Sequence, residues 1–336
     1  MDSLTQITLG AAVGEAILGR QLGNRAIVWG AVFGTVPDLD IVFTPFQDSI
    51  QFLVHHRGLS HSLLAVFVAT PVLAWGFAKA YRPAVGYWRW ASFFFLVLLT
   101  HILLDCLTVY GTQLFVPFSD VRVAWSTIFI IDPLYTLPFL GCVVACLFLQ
   151  RTGRWRRTIN LIGLLLSTAY LALTVVNKLH VEQVFADALA RQKIETTRLM
   201  TCPTPLNNVL WYCIAEDETG YHVGLYSLLD SHQDIEFRGV PRREDLLGDL
   251  ASTYGVDRLI WFADGYYCVR PHPDSVILHV MKFGNLDLTG ASDAYPFSYL
   301  VRPAANPGVL IERHERPSDI SADELISRLW SRLRGE

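Results

Sequence analysis

The chain has 336 residues, of which 52% are hydrophobic and 17% charged, and its net charge is −4. The charges are unevenly distributed, because residues 1–177 hold 19 charged side chains and residues 178–336 hold 39. An ordinary soluble domain has about 25% charged residues, and only the second half reaches that proportion. The first half is too hydrophobic to be disordered and has too few polar residues to cover a water-soluble core.

This composition predicts a membrane-embedded domain over residues 1–177, followed by a soluble domain over residues 178–336. The second half holds 16 basic and 23 acidic residues, and this acidic balance argues against nucleic acid as a partner. The six cysteines form no CxxC pair, so neither a disulfide framework nor a cysteine-bound structural metal is predicted. Asp2 stands where a cleaved signal peptide would carry positive charge, so we expect the N-terminal segment to be retained.

Six apolar segments are candidates for crossing or entering a membrane, whose core takes about 20 apolar residues. They are residues 4–19, 26–36, 62–78, 91–109, 127–149 and 159–176. The last three are long enough or nearly so, and the segment at 62–78 is borderline. The first two are short and rich in glycine, which leaves open a pair of tilted helices or a re-entrant pair. Both alternatives return the chain to the same side of the membrane.

The basic residues predict the orientation, because short cytoplasmic loops are enriched in Lys and Arg. Alternating the six segments puts nine of the eleven basic residues of the first half on one face, and only Arg57 and Arg122 on the other. The face with nine is therefore predicted to be cytoplasmic. The loops at 37–61 and 110–126 and the soluble domain are then extracytoplasmic.

The second half predicts a small α+β domain. Residues 181–199 place apolar side chains at helical spacing. Strand-like runs follow at 209–216, 220–229, 258–263, 266–270 and 275–283. A Ser-x-x-Glu capping box at Ser321 and Glu324 predicts a final helix. The whole chain is thus expected to be an all-α, multi-pass membrane helical bundle followed by a small α+β soluble domain.

Ionisable residues inside or beside apolar segments are costly and mark functional sites, and here they form three clusters. The clusters contain Asp38 and Asp40 in PDLD, His55, His56, Arg57, Ser60 and His61 in HHRGLSHS, and His101 and Asp105 in THILLDCLT. At a four-residue spacing, the last pair lies on one helix face. The predicted topology places all three clusters toward the outer side, and their imidazoles and carboxylates suit zinc or another borderline divalent metal.

Each cluster also has a structural interpretation that needs no metal. His101 and Asp105 could neutralise each other through a buried hydrogen bond, and PDLD by itself is a common turn after a helix. The HHRGLSHS cluster is different, because so many polar residues have no packing rationale at an apolar boundary. The shared depth of the three clusters favours one site.

With these motifs the chain resembles the membrane-bound metal-dependent hydrolases of the YdjM/YbcI type, also called the DUF457 family. The resemblance rests on the Gly-rich N-terminal segment, PDLD at 37–40, HRGLSHS at 56–62 and HILLDCLT at 101–108. That family is distantly similar to zinc-dependent phospholipase C and the P1-type nucleases, which are all-helical. The resemblance implies a multi-pass protein of the bacterial inner membrane with a divalent metal as cofactor, zinc being favoured.

Transferred motif by motif, the resemblance implies one metal held by all three clusters. The implied ligands are His101 and Asp105 together with Asp38 or Asp40 and with His56 or His61. Asp38 is favoured over Asp40, and both His56 and His61 are kept as candidates. Many members of the family have a histidine at the position of Gln6. Its absence disfavours a second metal here, unless Asp2 takes that place.

The favoured hypothesis is hydrolysis of a phosphoester or lipid-like substrate at the outer membrane boundary by a metal-activated water. The catalytic candidates are Asp40 as a base or as the residue that orients a histidine, His55 beside it, and Arg57 as the group that holds substrate or developing negative charge. Ser60 is expected to cap the following helix. The expected partners are membrane lipids and the substrate, and the sequence does not determine the oligomeric state.

The alternative hypothesis is a non-catalytic membrane scaffold or regulatory protein with a structural metal or a buried His–Asp cluster. Structural metal sites are closed, whereas catalytic sites keep one position open for water. A metal or proton transporter would need a polar path through the bilayer. Apart from Asp132, the other apolar segments offer no residue for such a path.

Overall fold

A computed structural model describes residues 1–81, 84–288, 292–304, 309–314 and 322–335. These residues form two compact units. The first comprises Met1–Pro45, His55–Val175 and Pro205–Asn207, and the second comprises Phe46–Val54, Val176–Thr204 and the described part of Asn208–Glu336. The first unit is helical, and the second contains the eight named strands.

The described residues form nine α-helices, seven of which begin in the first half of the chain. They are α1 (Ser3–Leu22), α2 (Asn24–Phe33), α3 (Ser49–His55), α4 (Leu63–Ala80), α5 (Tyr87–Cys106), α6 (Pro133–Leu147), α7 (Arg154–Arg191), α8 (Tyr254–Phe262) and α9 (Ala322–Leu333). Four 3₁₀ segments lie at Pro37–Phe46, Leu59–His61, Glu244–Ser252 and Met281–Phe283. Helix α7 is 38 residues long and passes from the first unit into the second at Val175.

Three helices of the described residues are long and apolar enough to cross a membrane, namely α4, α5 and α7. The bent pair formed by α2 and the 3₁₀ segment Pro37–Phe46 makes a fourth if it is counted as one span. The helix observed within the predicted segment 127–149 is shorter than expected, because α6 has only 15 residues. The Asp132 side chain accepts hydrogen bonds from the first turn of this helix, at 3.0 Å from Leu134 N, and so fixes its start.

Helices α1 and α2 form a hairpin in which glycines bring the two backbones together. Gly23 turns the chain between them at a φ of 60°, a conformation that glycine adopts without strain. Gly10 packs against Gly30, and a Cβ atom on Gly30 would lie 2.1 Å from the Gly10 carbonyl oxygen. Close helix pairs in membranes use small residues in this way. The two short apolar segments are therefore a tightly packed helix pair that ends near Gly34.

An aromatic core fixes α5 against α2 and α4 at one end. Phe94 contacts Phe33 edge to face, with ring centroids 4.7 Å apart, and Trp90 packs against Phe77 at 4.9 Å. Phe93, Phe94 and Trp90 are fully buried, and aromatic pairs of this kind add to the free energy of burial. The packing holds the other end of α5, which carries His101 and Asp105, in a fixed position.

The second unit contains two four-stranded antiparallel sheets, ordered β1-β2-β3-β4 and β5-β6-β7-β8. The strands are β1 (Arg198–Pro203), β2 (Leu210–Glu216), β3 (Gly220–Ser227), β4 (Arg238–Pro241), β5 (Tyr267–His272), β6 (Ser275–Val280), β7 (Ser298–Pro303) and β8 (Val309–Arg313). The C-terminal part of α7 packs on the first sheet through Val181 and Phe185, which belong to one buried cluster with Trp211 of β2. This arrangement is an α+β domain.

Two local predictions in this unit are wrong. The run at 258–263 lies mostly in helix α8, because Val256, Leu259 and Phe262 are buried at three-residue spacing and that period belongs to a helix. The helix predicted over 181–199 ends at Arg191, and β1 begins seven residues later. Of the predicted capping box, Ser321 lies outside the described residues, and Glu324 is in the first turn of α9.

Candidate metal centre

Three elements of the first unit supply the side chains of the centre. Asp38 and Asp40 lie in the first turn of the 3₁₀ segment Pro37–Phe46. His61 ends the short 3₁₀ segment before α4. His101 and Asp105 lie in the last two turns of α5, one turn apart on one face. All three sequence clusters therefore contribute side chains to one site.

Four ligand atoms from Asp38, His61, His101 and Asp105 lie within 4.8 Å of one another. His61 Nε2 is 3.3 Å from Asp38 Oδ1, 3.2 Å from Asp105 Oδ2 and 3.2 Å from His101 Nε2. His101 Nε2 is 3.6 Å from Asp38 Oδ1 and 3.4 Å from Asp105 Oδ2. In a tetrahedral zinc site with ligands at about 2.0–2.1 Å, neighbouring ligand atoms are about 3.3 Å apart. The separations therefore fit one small divalent cation.

The hydrogen bonds of the two histidines determine which ring nitrogen faces the centre as an acceptor. His101 Nδ1 lies 2.7 Å from the Gly34 carbonyl oxygen, and because a carbonyl only accepts, this nitrogen carries the proton. Ser60 Oγ donates to Asp40 Oδ2 at 3.2 Å and lies 3.0 Å from His61 Nδ1. The single hydroxyl proton is thus used, and His61 Nδ1 must donate. In the neutral form that a metal requires, these bonds leave both Nε2 atoms with lone pairs directed to the centre.

The two oxygens of Asp105 have different surroundings. Oδ1 accepts a hydrogen bond from Gln6 Nε2 at 3.1 Å and is 3.4 Å from the Arg57 guanidinium, and the amino group of Met1 also contacts it. Oδ2 is buried and accepts no hydrogen bond from any residue that the structure describes. A buried carboxylate oxygen without a donor is unfavourable. With two imidazole lone pairs facing it, Asp105 Oδ2 fits a bound cation.

Asp40 lies behind His61 and organises the turn that carries it. Its Oδ1 is 3.0 Å from His56 Nδ1, and its Oδ2 accepts the backbone N–H of Arg57 at 2.9 Å and the hydroxyl of Ser60. Carboxylates that orient a metal-binding histidine are common in such sites. The structure thus separates the two aspartates of PDLD, with Asp38 facing the centre and Asp40 supporting His61.

Arg57 is buried, with 4% of its surface exposed. Its guanidinium donates to Thr108 Oγ1 at 3.1 Å and lies 4.8 Å from the ring centroid of Tyr110. The residue has a φ of 56°, which is rare for a residue with a side chain and costs free energy. The backbone N–H of Gln113 donates to its carbonyl at 3.1 Å, so this conformation is held from both sides.

The structure does not bring every predicted site residue to the centre. His56 pairs with Asp40 and is not among the four converging residues. His55 is an exposed residue at the end of α3. Asp2 caps α1 by accepting from Thr5 N at 3.0 Å. The residue that caps α4 is Ser62, whose hydroxyl accepts from Ala65 N at 3.1 Å, whereas Ser60 joins Asp40 to His61.

Several groups that complete the site carry little or no sequence signal. Gln6 is 1% exposed and donates to both Asp105 and the carbonyl of His101. Its residue type indicates only a polar amide inside an apolar helix, and the resemblance pointed to its position for a second metal and not for this contact. The carbonyl of Gly34 holds His101, and a backbone group cannot be recognised from residue type. Thr108, which contacts Arg57, ends the HILLDCLT motif without a predicted role, and Tyr110, which also contacts Arg57, follows the motif without a pattern of its own.

The centre is buried except at Asp38. The side chain of Asp38 is 17% exposed, whereas those of His61, His101 and Asp105 are at most 1% exposed. The 3₁₀ segment that carries Asp38 continues with exposed apolar residues, namely Leu39, Ile41, Val42 and Phe43. Phe118 and Trp125, in the loop after α5, are exposed as well. Exposed apolar patches mark interaction surfaces, and the exposed residues of the 3₁₀ segment adjoin the accessible ligand Asp38 in the chain.

Comparison with known proteins finds a matching family and a similar protein. A family model described as YdjM inner membrane protein matches residues 1–181. The uncharacterized protein YfhP of Bacillus subtilis (strain 168) is 28% identical over 153 residues, which are 43% of this chain. The aligned part covers 45% of the length of YfhP. No solved structure matches the chain.

Proposed function

The chain belongs to the YdjM inner membrane protein family, and from this premise we propose that it is a membrane-bound, metal-dependent hydrolase acting on a phosphoester or lipid-like substrate. One observation carries the proposal: the Nε2 atoms of His61 and His101 lie 3.2–3.6 Å from each other and from carboxylate oxygens of Asp38 and Asp105. Neutral His61 and His101 would each direct an Nε2 lone pair to this point, and Asp105 Oδ2 accepts no hydrogen bond among the described residues.

A divalent cation such as zinc, bound here, would polarise the scissile group and lower the pKa of a water molecule toward about 7. The residues of the chain have separate tasks around it. His61, His101 and Asp105 would hold the cation from the buried side. Asp38, at the accessible edge, would accept the proton of the attacking water. Asp40 and Arg57 are positioning residues that orient His61 and Asp105.

The proposed substrate class rests on what surrounds the accessible edge. Leu39, Val42 and Phe43 are each more than half exposed and follow Asp38 in the chain. Such residues favour contact with acyl chains or with the membrane boundary, while the cation would bind an anionic phosphoester. An amphiphile with a phosphoester near its apolar part satisfies both. The proposed substrate therefore binds to the first unit.

The burial of three of the four ligands favours a second candidate, a scaffold with a structural metal. Structural sites are closed by four protein ligands, and Asp38 would then be the fourth. The two candidates differ in what Asp38 does. Its replacement by alanine should cost a structural site much of its metal, but should leave a catalytic site loaded and inactive.

The proposal is tested by metal analysis of the purified full-length protein together with phosphodiesterase and phospholipase assays. We expect about one divalent metal per chain in the wild type, and less than a tenth of it in His101→Ala and Asp105→Ala. Asp38→Ala should retain metal and lose at least about 100-fold in hydrolysis, the scale on which general-base groups contribute.

His56→Ala is the matched control, because it removes an imidazole from the same turn without removing a converging atom. It should retain the metal content of the wild type. Equal metal content in the wild type, His101→Ala and Asp105→Ala would refute the site. A loaded wild type without hydrolysis, combined with loss of metal in Asp38→Ala, would favour the structural candidate.

A further inference from the structure

A cavity lined by arginines lies at the other end of the first unit, away from the metal centre. Its volume is about 1090 Å³. It is bordered by the C-terminal part of α1, the N-terminal part of α5 and the N-terminal part of α7, and its basic residues are Arg20, Arg89, Arg151, Arg154 and Arg157. We call it the arginine cavity.

The positions along two helices place the arginine cavity far from the metal centre. Gln6 contacts Asp105 from the start of α1, and Arg20 lies near its end. In α5 the order is reversed, with Arg89 in the first turn and Asp105 in the last. At 1.5 Å per residue, both helices separate the two sites by about 20–25 Å. That distance is most of the thickness of a bilayer core, about 30 Å.

The arginines of the cavity have no acidic partner in its walls. The single acidic residue that lines it, among the residues that the structure describes, is Glu15. Both oxygens of Glu15 already accept hydrogen bonds from the buried Arg156, at 2.7 and 2.6 Å. Arg20, Arg89, Arg154 and Arg157 form no ion pair within the described parts of the chain. Several guanidiniums therefore face one space without a compensating charge.

The orientation of the protein in a membrane explains why this face has many arginines. It does not explain why they lie around one cavity. A cytoplasmic loop needs basic residues, and such residues serve that purpose anywhere on the face. Here arginines from three separate helices line one cavity. The planar guanidinium pairs with phosphate through two parallel hydrogen bonds, and basic pockets between membrane helices bind phospholipid headgroups.

The edge of the cavity has the residues of a membrane interface. Trp88 lines the cavity and is 80% exposed, and Trp155, between Arg154 and Arg156, is 69% exposed. Exposed tryptophans concentrate at the level of the headgroups. A volume of this size also exceeds what a free phosphate ion fills and lies at the upper limit of small-molecule sites.

From these observations we propose that the arginine cavity is a binding site for the phosphate headgroup of an anionic phospholipid. A free phosphate ion offers the same chemistry to the guanidiniums. The lipid is favoured because the cavity lies at the end of apolar helices and has exposed tryptophans at its edge. The proposal is independent of the metal centre, since the two sites share no residue.

The test uses the full-length protein in a neutral detergent. Bound lipid and thermal unfolding are measured during titration with mixed micelles of phosphatidylglycerol, with phosphatidylcholine, and with inorganic phosphate at the same phosphate concentration. We expect phosphatidylglycerol alone to raise the unfolding temperature and to remain bound. The double variant Arg89→Gln/Arg157→Gln should bind it at least about tenfold more weakly, because each basic residue near a charged membrane contributes a factor of about five.

The matched control is Arg25→Gln/Lys79→Gln. It removes two exposed positive charges that the basic-residue topology assigns to the same face but that do not line the cavity, and its affinity should stay within twofold of the wild type. Equal losses in both double variants would overturn the site in favour of general surface charge. Equal stabilisation by inorganic phosphate would overturn the lipid as its occupant.

If the glutamine variant does not purify as a monodisperse protein, Arg89→Lys/Arg157→Lys replaces it. This variant keeps both charges and loses both planar forks, so we expect phosphatidylglycerol to bind at least threefold more weakly. Unchanged affinity in the lysine variant would overturn recognition by guanidinium groups. Circular dichroism of each variant checks that its helix content equals that of the wild type.

Discussion

Asp105 shows how single residues organise the metal centre. One of its oxygens is held by Gln6 and lies beside Arg57, and the other is free of donors among the described residues. His61 is organised in a similar way, with Nδ1 directed to Ser60 and Asp40 and Nε2 directed to the centre. Groups that hold ligands in this manner commonly change metal affinity by 10–100-fold when they are removed.

Ser60 and Ser62 allow this positioning role to be separated from a purely structural one. Ser60→Ala removes the hydroxyl between His61 and Asp40, so we expect metal affinity to fall by about tenfold with little change in the free energy of unfolding. Ser62→Ala removes the cap of α4, so we expect a loss of about 1 kcal/mol in stability with unchanged affinity. Titration with a competing chelator and thermal unfolding measure the two quantities. The reverse pattern would contradict these assignments.

His279 in β6 gives a prediction of pH dependence for the second unit. Burial lowers the pKa of His279 to about 4, with Arg270 and His314 acting in the same direction and Asp293 against it. Because the unfolded chain has a histidine pKa of about 6.5, the stabilisation is complete above pH 6.5 and is lost as the pH falls toward 4. The loss over this window is about 3 kcal/mol.

The measurement is urea unfolding of the full-length protein between pH 7.5 and 4.5, followed by proteolysis within residues 267–303. His279→Gln keeps a hydrogen-bonding group near Ser298 Oγ, which lies 2.8 Å from His279 Nδ1, and it cannot titrate. We therefore expect it to flatten the pH dependence. Replacing the exposed His232 by Gln should leave the dependence unchanged, and an unchanged slope in His279→Gln would contradict the prediction.

At the scale of elements, the hairpin of α1 and α2 determines where the centre forms. The hairpin brings the Gly34 carbonyl to His101 and the Gln6 amide to Asp105. Both contacts depend on the close approach of the two helices, which Gly10 and Gly30 permit. The helices that provide this support come before the ligands in the chain and supply none of the four converging atoms.

A methyl group between these helices should therefore affect both stability and metal binding. In Gly30→Ala the added Cβ would lie 2.1 Å from the Gly10 carbonyl oxygen, which forces the helices apart. We expect a loss of about 1–3 kcal/mol in stability and weaker metal binding. Gly76→Ala in α4 is the control, since nothing lies within 4 Å of its added Cβ and alanine favours a helix. Thermal unfolding that is equal in both variants would refute the close-packing argument.

At the scale of the whole molecule, charge divides the first unit into two ends. The metal centre gathers three aspartates around one end of α5, and the arginine cavity lies at the other end. Three helices of the described chain are apolar enough to cross a membrane between these ends. The basic residues predict that the arginine end is cytoplasmic, because such residues remain on that side during insertion.

This orientation is tested by reporters fused after residue 336. We expect alkaline phosphatase, which folds outside the cytoplasm, to be active there, and a green fluorescent protein fusion to be dark. A fusion after Arg151, on the predicted cytoplasmic face, is the control and should show the opposite result. A fluorescent fusion after residue 336 would reverse the predicted location of the second unit.

Local sequence patterns determined much of this protein. Charge distribution predicted a helical apolar part and a soluble part, and a four-residue spacing placed His101 and Asp105 on one helix face. The ligand residue types in PDLD, HRGLSHS and HILLDC predicted a site before its geometry was known. These features are determined locally, because helix period, solvation and ligand chemistry depend on neighbouring residues.

Only the tertiary structure decided between alternatives that have equal local signals. Asp38 rather than Asp40, and His61 rather than His56, converge with His101 and Asp105. Ser62 rather than Ser60 caps α4, and 258–262 is helical although its residues favour strands. Each choice depends on contacts between residues far apart in the chain, such as the carbonyl of Gly34 with His101 or the amide of Gln6 with Asp105. Burial and hydrogen bonding across such distances are not encoded in any local pattern.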